Sequence, residues 1–220
     1  MENAITTAPP SRPSRRQMQA AQTRRDILMA ARRLFVERGY ASTSMQQIAD
    51  ETGVALQTVY SSVGPKPAII LALVDLIDEE AGLENLVPPV MAETDPRRMI
   101  ALAVRIPASF VERCGDYIAA LVSAAAVDKD AAAALDESWT RHNNGAKRIA
   151  QKLIASGAVR PGLTVEDVQA AFALTTWATT QLRARDALGW DGPNWEQWCV
   201  RFLTGAILDS GDPATLEPTR

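Results

Sequence analysis

The sequence predicts an all-α fold: an N-terminal three-helix unit containing a helix-turn-helix, then a longer C-terminal helical region. Three observations carry this. Nothing in the 220 residues alternates at period two over a useful length. Alanine-rich segments with apolar residues at 3.6-residue spacing dominate instead. Helix ends are marked by capping boxes, glycines and prolines.

The first helix opens at Thr23, with Asp26 in the third position of a capping box. Ile27, Ala30, Ala31, Leu34 and Phe35 form one apolar face, and Gly39 stops the helix. Tyr40 is expected to pack on Phe35. The second helix opens at Ser44, boxed with Gln47; Met45, Ile48 and Ala49 point inward and Gly53 ends it. Val54 plugs the turn. The third helix covers roughly 55–63 with Val59 inward, and Gly64 and Pro65 end it. Two short helices joined by a glycine turn have the helix-turn-helix layout.

The third helix is polar where it is exposed. Leu56, Gln57, Thr58, Ser61 and Ser62 occupy its first turn and outer face. Gln can bond adenine through two hydrogen bonds, Ser and Thr bond most bases or phosphate, and Leu or a Thr methyl can meet a thymine methyl. Tyr60 and Lys66 suit phosphate contacts, which fix register. Ser44, Gln46 and Gln47, at the start of the second helix, are candidates for backbone or base-edge contacts.

Residues 23–72 resemble the DNA-binding domain of TetR-family transcriptional regulators. Ala31, Leu34, Phe35, Gly39 and Tyr40 carry the likeness, with Ser44, Ile48, Ala49, Gly53, Val54, Thr58, Val59, Tyr60 and Lys66. The resemblance implies a homodimeric, ligand-responsive DNA-binding protein, most often a repressor released from a palindromic operator by a small molecule. The alternative is a helical ligand-binding or interaction protein whose head no longer reads DNA. The chain departs from the family pattern at Ala55, which cannot cap its helix, and at Pro65-Lys66-Pro67, which stiffens the connection to the fourth helix.

Charge is divided along the chain. Residues 1–66 carry nine basic and five acidic side chains, +4, and residues 67–220 carry fourteen and twenty-one, −7. A basic head on an acidic body suits an approach to phosphate at one end only. Residues 1–22, rich in Pro, Ser, Thr and Gln, are expected to form a disordered basic arm. Arg15, Arg16 and Arg24 would follow phosphates or enter a minor groove, or else belong to an ordinary solvated tail. The remaining segments are the head at 23–66, an effector and dimerisation region at 67–210 and a flexible tail at 211–220.

The fourth helix is expected from about Lys66 to Glu84, with Val87-Pro88-Pro89-Val90 breaking the pattern. Asp95-Pro96 opens a helix to about Ala103. Pro107 kinks or restarts the chain, and 108–127 is helical again. A more polar helix runs from 128 to 156. Thr164, boxed with Asp167, caps a helix spanning 165–188, and the last helix covers 194–209. Val168, Phe172 and Thr175 on one, and Trp195, Trp198, Phe202 and Ala206 on the other, suggest a four-helix bundle across a two-fold axis.

Residues 84–188 are the candidate effector region, with Arg105, Phe110, Tyr117, Trp139, His142, Asn143 and Trp177 as candidate contacts and His142 expected to face solvent. Cys114 and Cys199 read as buried free thiols. No Cys/His cluster, phosphate-binding glycine loop or catalytic constellation is visible, so no metal, cofactor or enzymatic activity is expected. No apolar run is long enough to span a membrane, and a cytoplasmic location is expected.

Overall fold

The structure, a computed structural model, describes residues 14–209. It contains ten α-helices among those residues: α1 Arg15–Arg38, α2 Met45–Thr52, α3 Leu56–Val63, α4 Lys66–Glu80, α5 Leu83–Ala92, α6 Pro96–Ala125, α7 Lys129–Ala155, α8 Val165–Thr175, α9 Ala178–Leu188 and α10 Gly192–Ile207. The only β pairing described is an antiparallel bridge, Val159 with Leu208.

Helix α1 begins well before Thr23, so residues 15–22 are helix and not a disordered arm. The cause is a second capping box. Ser14 Oγ accepts from Gln17 N, and Gln17 Oε1 accepts from Ser14 N. Thr23 instead sits inside the helix, donating to Gln19 O at 3.0 Å. The rest of the predicted arm, 1–13, and the predicted tail from 211 lie outside the described residues.

Both proline expectations need correction. Pro88 and Pro89 lie inside α5. Proline already holds a helical φ, and the carbonyls it leaves without donors belong to Glu84 and Asn85, which are exposed to water. Helix α6 runs unbroken through Pro107. The loss there is one backbone bond, to Ala103 O.

The single helix expected over 165–188 is two, parted at Thr176-Trp177. The break frees carbonyls that a continuous helix would satisfy, and side chains take them up. His142 Nε2 lies 3.0 Å from Ala173 O, and Thr180 Oγ1 donates to Leu174 O at 3.2 Å. Thr176 turns its hydroxyl back to Phe172 O at 2.7 Å. Trp177 then packs edge-on against Trp139 of α7, with centroids 5.3 Å apart.

The buried side chains form two clusters. The first joins α1, α2, α3 and α4 to the second half of α6, through Phe35, Ile48, Val59, Ile70, Leu73 and Tyr117. The second gathers Val90, the first half of α6, the second half of α7, α8 and α10. Val168, Phe172 and Trp195 belong to that core and are fully buried within the protomer, so they are not free to meet a partner. On α10 the buried residues are Trp195, Cys199, Leu203 and Ile207. Trp198, Phe202 and Ala206 lie on the adjacent stripe: Trp198 is half-buried and stacks on Phe202, which is exposed, as is Ala206. Thr175 is half-buried, and its neighbour Leu174 is the exposed apolar residue of α8.

Candidate nucleic-acid interface and ligand cavity

The head is fixed by local chemistry. Ser44 and Gln47 form the capping box of α2, with Gln47 Oε1 accepting from Ser44 N at 2.7 Å. Gly53, at φ 68°, adopts the left-handed conformation that only glycine takes without strain. Its N–H bonds Asp50 O and the Val54 N–H reaches Ala49 O, a Schellman closure that turns the chain into α3. Ala55 supplies no side-chain cap, so no side chain fills the first-turn donors of α3.

Helix α3 buries Val59 and Val63 and turns Gln57, Tyr60 and Ser61 outward, beside the exposed Ser44 and Gln46 of α2. Thr58, Ser62 and Gln47 are half-buried. Gln46 is bonded to Asp50 at 2.7 Å, and Ser61 donates to Thr58 O. Leu56 packs partly against the first core. Arg24 donates to Ser62 O at the C-terminal end of α3, where a cation meets orphan carbonyls. The Lys66 ammonium lies 4.2 Å above the Tyr40 ring and 3.4 Å from Ala41 O. Burial lowers its pKa, with Asp128 acting in the other direction. Arg15 and Arg16 are exposed in the first turn of α1.

The head meets the body at Glu80, the last residue of α4. Arg32 of α1 donates to Glu80 at 2.8 Å, to Asp116 at 2.8 Å and to Arg113 O at 3.0 Å. Arg113 in turn donates to Glu80 O at 2.9 Å, and Arg25 lies 3.6 Å from Glu79 and 3.8 Å from Glu80. Burial works against the charge on Arg32, but Asp116 and Glu80 outweigh it and raise its pKa.

A cavity of about 450 Å³ lies between the two cores. Its walls are apolar: Val74 and Ile77 from α4, Leu83, Val87 and Met91 from α5, a long stripe of α6 from Ala103 to Leu121, and Phe172, Trp177 and Ala178 around the α8–α9 break. Helix α7 supplies Leu135, Ser138, Arg141, His142, Gly145, Arg148 and Ile149. Arg141 is consumed by carboxylates: Asp75 at 2.7 Å, Asp78 at 3.0 Å and Glu137 at 2.9 Å. Burial raises the pKa of Asp78, and Arg141 offsets this only in part. Burial lowers the pKa of His142, and its carbonyl partner only accepts, so Nε2 carries the proton of a neutral ring. Among the described residues Arg148 has no ion-pair partner.

Residues 27–73 match the sequence model of the tetR family of bacterial regulatory proteins. The head is thus a TetR-family segment. The match covers the capping box of α2, the Gly53 corner and the whole of α3, the segment that the model describes for bacterial regulatory proteins. The HTH-type transcriptional activator FasR of Mycolicibacterium smegmatis is 32% identical over 93 residues, 40% of this chain and 40% of that protein's length. NalD of Pseudomonas aeruginosa, the secondary repressor of the MexAB-OprM multidrug efflux pump, superposes with a TM-score of 0.70 at 18% identity, over 88% of this chain and 99% of NalD. FadR of Bacillus subtilis, crystallised with stearoyl-CoA, gives 0.65 at 19% identity, over 83% and 98%. These two likenesses show that the fold continues beyond the head.

The cavity gathers three of the seven effector candidates: Phe110, His142 and Trp177. His142 is half-buried and bonded, not solvent-facing. Trp139 packs behind it, with ring centroids 5.9 Å apart. Asn143 accepts from Gln169 of α8 at 2.8 Å. Arg105 leaves the cavity altogether, paired on the surface with Glu112 and Glu196. Tyr117 is buried in the first core, 3.4 Å from Ile70 O. Arg141, Gly145 and Arg148 were missed. Leu135, Ser138, His142, Gly145 and Ile149 follow helical spacing, but the polar run through Trp139–Asn144 hides that stripe in the sequence.

Proposed function

We propose that the chain is a homodimeric repressor whose α3 lies in the major groove of a palindromic operator and whose central cavity takes a small-molecule effector that releases it. The observation that carries this reading is the Gly53 corner, which turns Gln57, Tyr60 and Ser61 outward on one short helix. Gln57 is the base reader; Thr58, Ser61 and Ser62 line the same approach. Ser44, Gln46, Tyr60, Lys66 and the uncapped start of α3 serve phosphates. Gln47 is held by its capping box and Leu56 by packing, which makes them supports of the surface. Arg15 and Arg16 meet the backbone from a helix.

Two copies joined through the outward stripes of α8 and α10, with Leu174, Trp198, Phe202 and Ala206, hold two heads for half-sites about 34–36 Å apart. The likeness to a regulator crystallised with stearoyl-CoA supports a small-molecule occupant of the cavity. Helix α4 supplies the linkage. It lines the cavity at Val74, Ile77 and Asp78, abuts α3 at its start and holds Arg32 at its end. Effector coupling of about 1–3 kcal/mol, 5–150-fold in DNA affinity, is expected.

Gel shifts on the protein's own upstream DNA test this. Binding should weaken steeply with salt, and Gln57→Ala should relax sequence preference while leaving the helical content unchanged. Equal affinity for specific and unrelated DNA would refute it. The likeness to FasR favours a second reading, activation from the same operator. A reporter that falls in expression when the protein is removed would select it.

A further inference from the structure

Resting on the operator-reading role of α3, one bond at the far end of that helix gains a function. Helix α3 has eight residues, too few to be stable alone. Ala55 gives it no side-chain cap at the start. At the end, the Gly64 N–H serves Tyr60 O, and Pro65 has no N–H to offer Ser61 O. Pro65 is extended, with ψ 167°, so Lys66 opens α4 instead of closing on Ser62 O.

Packing holds α3 along one line. Leu56, Val59 and Val63 are its residues in the first core, and their spacing of three and four puts them on a single ridge. A helix resting on one ridge is weakly held against rolling about it. A roll of about 10° moves a side-chain tip 5–6 Å from the axis by about 1 Å. Two hydrogen bonds from Gln57 to one base do not survive that shift, since each needs about 2.7–3.2 Å.

Arg24 supplies the missing constraint. It stands on α1, one turn before Ile27 and Leu28, which are buried in the first core. Its Nη1 donates to Ser62 O, its polar partner among the described residues. Ser62 lies about 100° round the helix from Val63, so the tie acts off the ridge. A cation there also meets the negative end of the helix dipole. We propose that Arg24 is a positioning residue for operator reading: its bond from α1 to the end of α3 sets the rotation at which Gln57 meets a base edge. Its charge is directed into the head, in contrast to the phosphate or minor-groove role that the sequence suggests for it.

Competition gel shifts with the full chain, on the protein's own upstream DNA and on unrelated DNA, test this. Arg24 is exposed and alanine is the best helix former, so Arg24→Ala should keep the fold, which circular dichroism checks. Its preference for the upstream DNA should fall about tenfold, within the roughly 5–150-fold that one bidentate base contact carries. In a Gln57→Ala background the same change should alter preference by less than about twofold, because the contact it positions is already gone. The salt dependence should keep its slope. Hydrogen exchange without DNA should quicken for the amides of α3 and stay unchanged for those of α2. A direct phosphate contact predicts an even loss on both DNAs, additive with Gln57→Ala, and a slope shallower by about one per head. That pattern would overturn the proposal, as would unchanged preference or unchanged α3 exchange in Arg24→Ala. Wild-type protein with no preference for its upstream DNA would remove the DNA reading and the proposal together; the other outcomes remove the proposal alone.

Discussion

Removing the Arg32 side chain should be among the costliest single changes at the surface between head and body. Arg32 is 12% exposed and makes three hydrogen bonds, to Glu80, Asp116 and Arg113 O. A hydrogen bond to a charged group is worth about 1.5–3 kcal/mol, and an exposed pair about 0.5 kcal/mol. Glu80, 20% exposed, belongs with the first; Asp116, 53% exposed, with the second. Arg25, 3.8 Å from Glu80, partly replaces the lost charge. Arg32→Ala should therefore cost about 3 kcal/mol, a fall in Tm of roughly 6–12 °C for a chain of this size. Urea melts at fixed protein concentration measure it. Arg33→Ala is the control: its pair with Glu51 is 53% and 41% exposed, and its loss should cost under about 0.5 kcal/mol. Burial raises the pKa of Asp116, but the Arg32 hydrogen bond and backbone donors outweigh it and hold it below the ordinary carboxylate value. That stabilisation is present above about pH 3.9 and lost as the pH falls through the folded value, so the gap between wild type and Arg32→Ala should narrow in acid. A loss below about 1 kcal/mol, or a strictly additive cycle with Glu80→Gln, would refute this account of the junction.

Three further outcomes are expected. Burial pushes the thiols of Cys114 and Cys199 up to about 12, so both should resist an aromatic disulfide reagent at pH 8 until denaturant is added; prompt labelling of the native protein would contradict their burial. Burial lowers the pKa of His142, so the neutral ring contributes stability above about pH 6.5 that is lost as the pH falls through the folded value. His142→Gln should flatten that part of the stability–pH profile, and an unchanged slope would count against it. Leu174→Glu combined with Phe202→Glu should give a folded monomer by sedimentation, because both apolar side chains point outward, 65% and 47% exposed; a persisting dimer would place the interface elsewhere.

Features set within a few residues of chain were legible in the sequence. Ser44 with Gln47, Gly53, and Thr164 with Asp167 are found where their spacing puts them, because a cap needs only its own neighbours. Ser14 with Gln17 was equally local, but the Pro- and Ser-rich composition around it argued for disorder and prevailed. The break at Thr176-Trp177 had no local signal. Its stabilising donor, His142, comes from another helix. The two faces of α10 were merged for a related reason. Trp195 and Trp198 are three residues apart, about 60° from superposition around the helix, and only packing against α6 and α8 decides which faces inward. Arg105 and Tyr117 fell on the right helix but the wrong side, since a broad apolar stripe does not say which neighbour each residue meets.

The division into two cores gives the cavity its consequence. The first core binds the whole head to α4 and the second half of α6, and the Arg32–Glu80 cluster locks the same elements with charge. The second core carries the outward faces of α8 and α10. Helix α6 is common to both, and the cavity fills the space between them, with Val74, Ile77 and Leu121 on one wall and Ala103, Ile149 and Phe172 on the other. On the proposed dimer, the separation of the two heads is then set by how one core sits on the other, not by any deformation within the head. An occupant of the cavity adds apolar contacts to both walls at once and favours the one relative placement in which both are met. It changes DNA affinity only by the difference in its own affinity for the two placements. Substitutions that leave both cores intact but fill the gap, such as Gly145→Phe, should therefore mimic or block the effector without touching any residue that faces DNA.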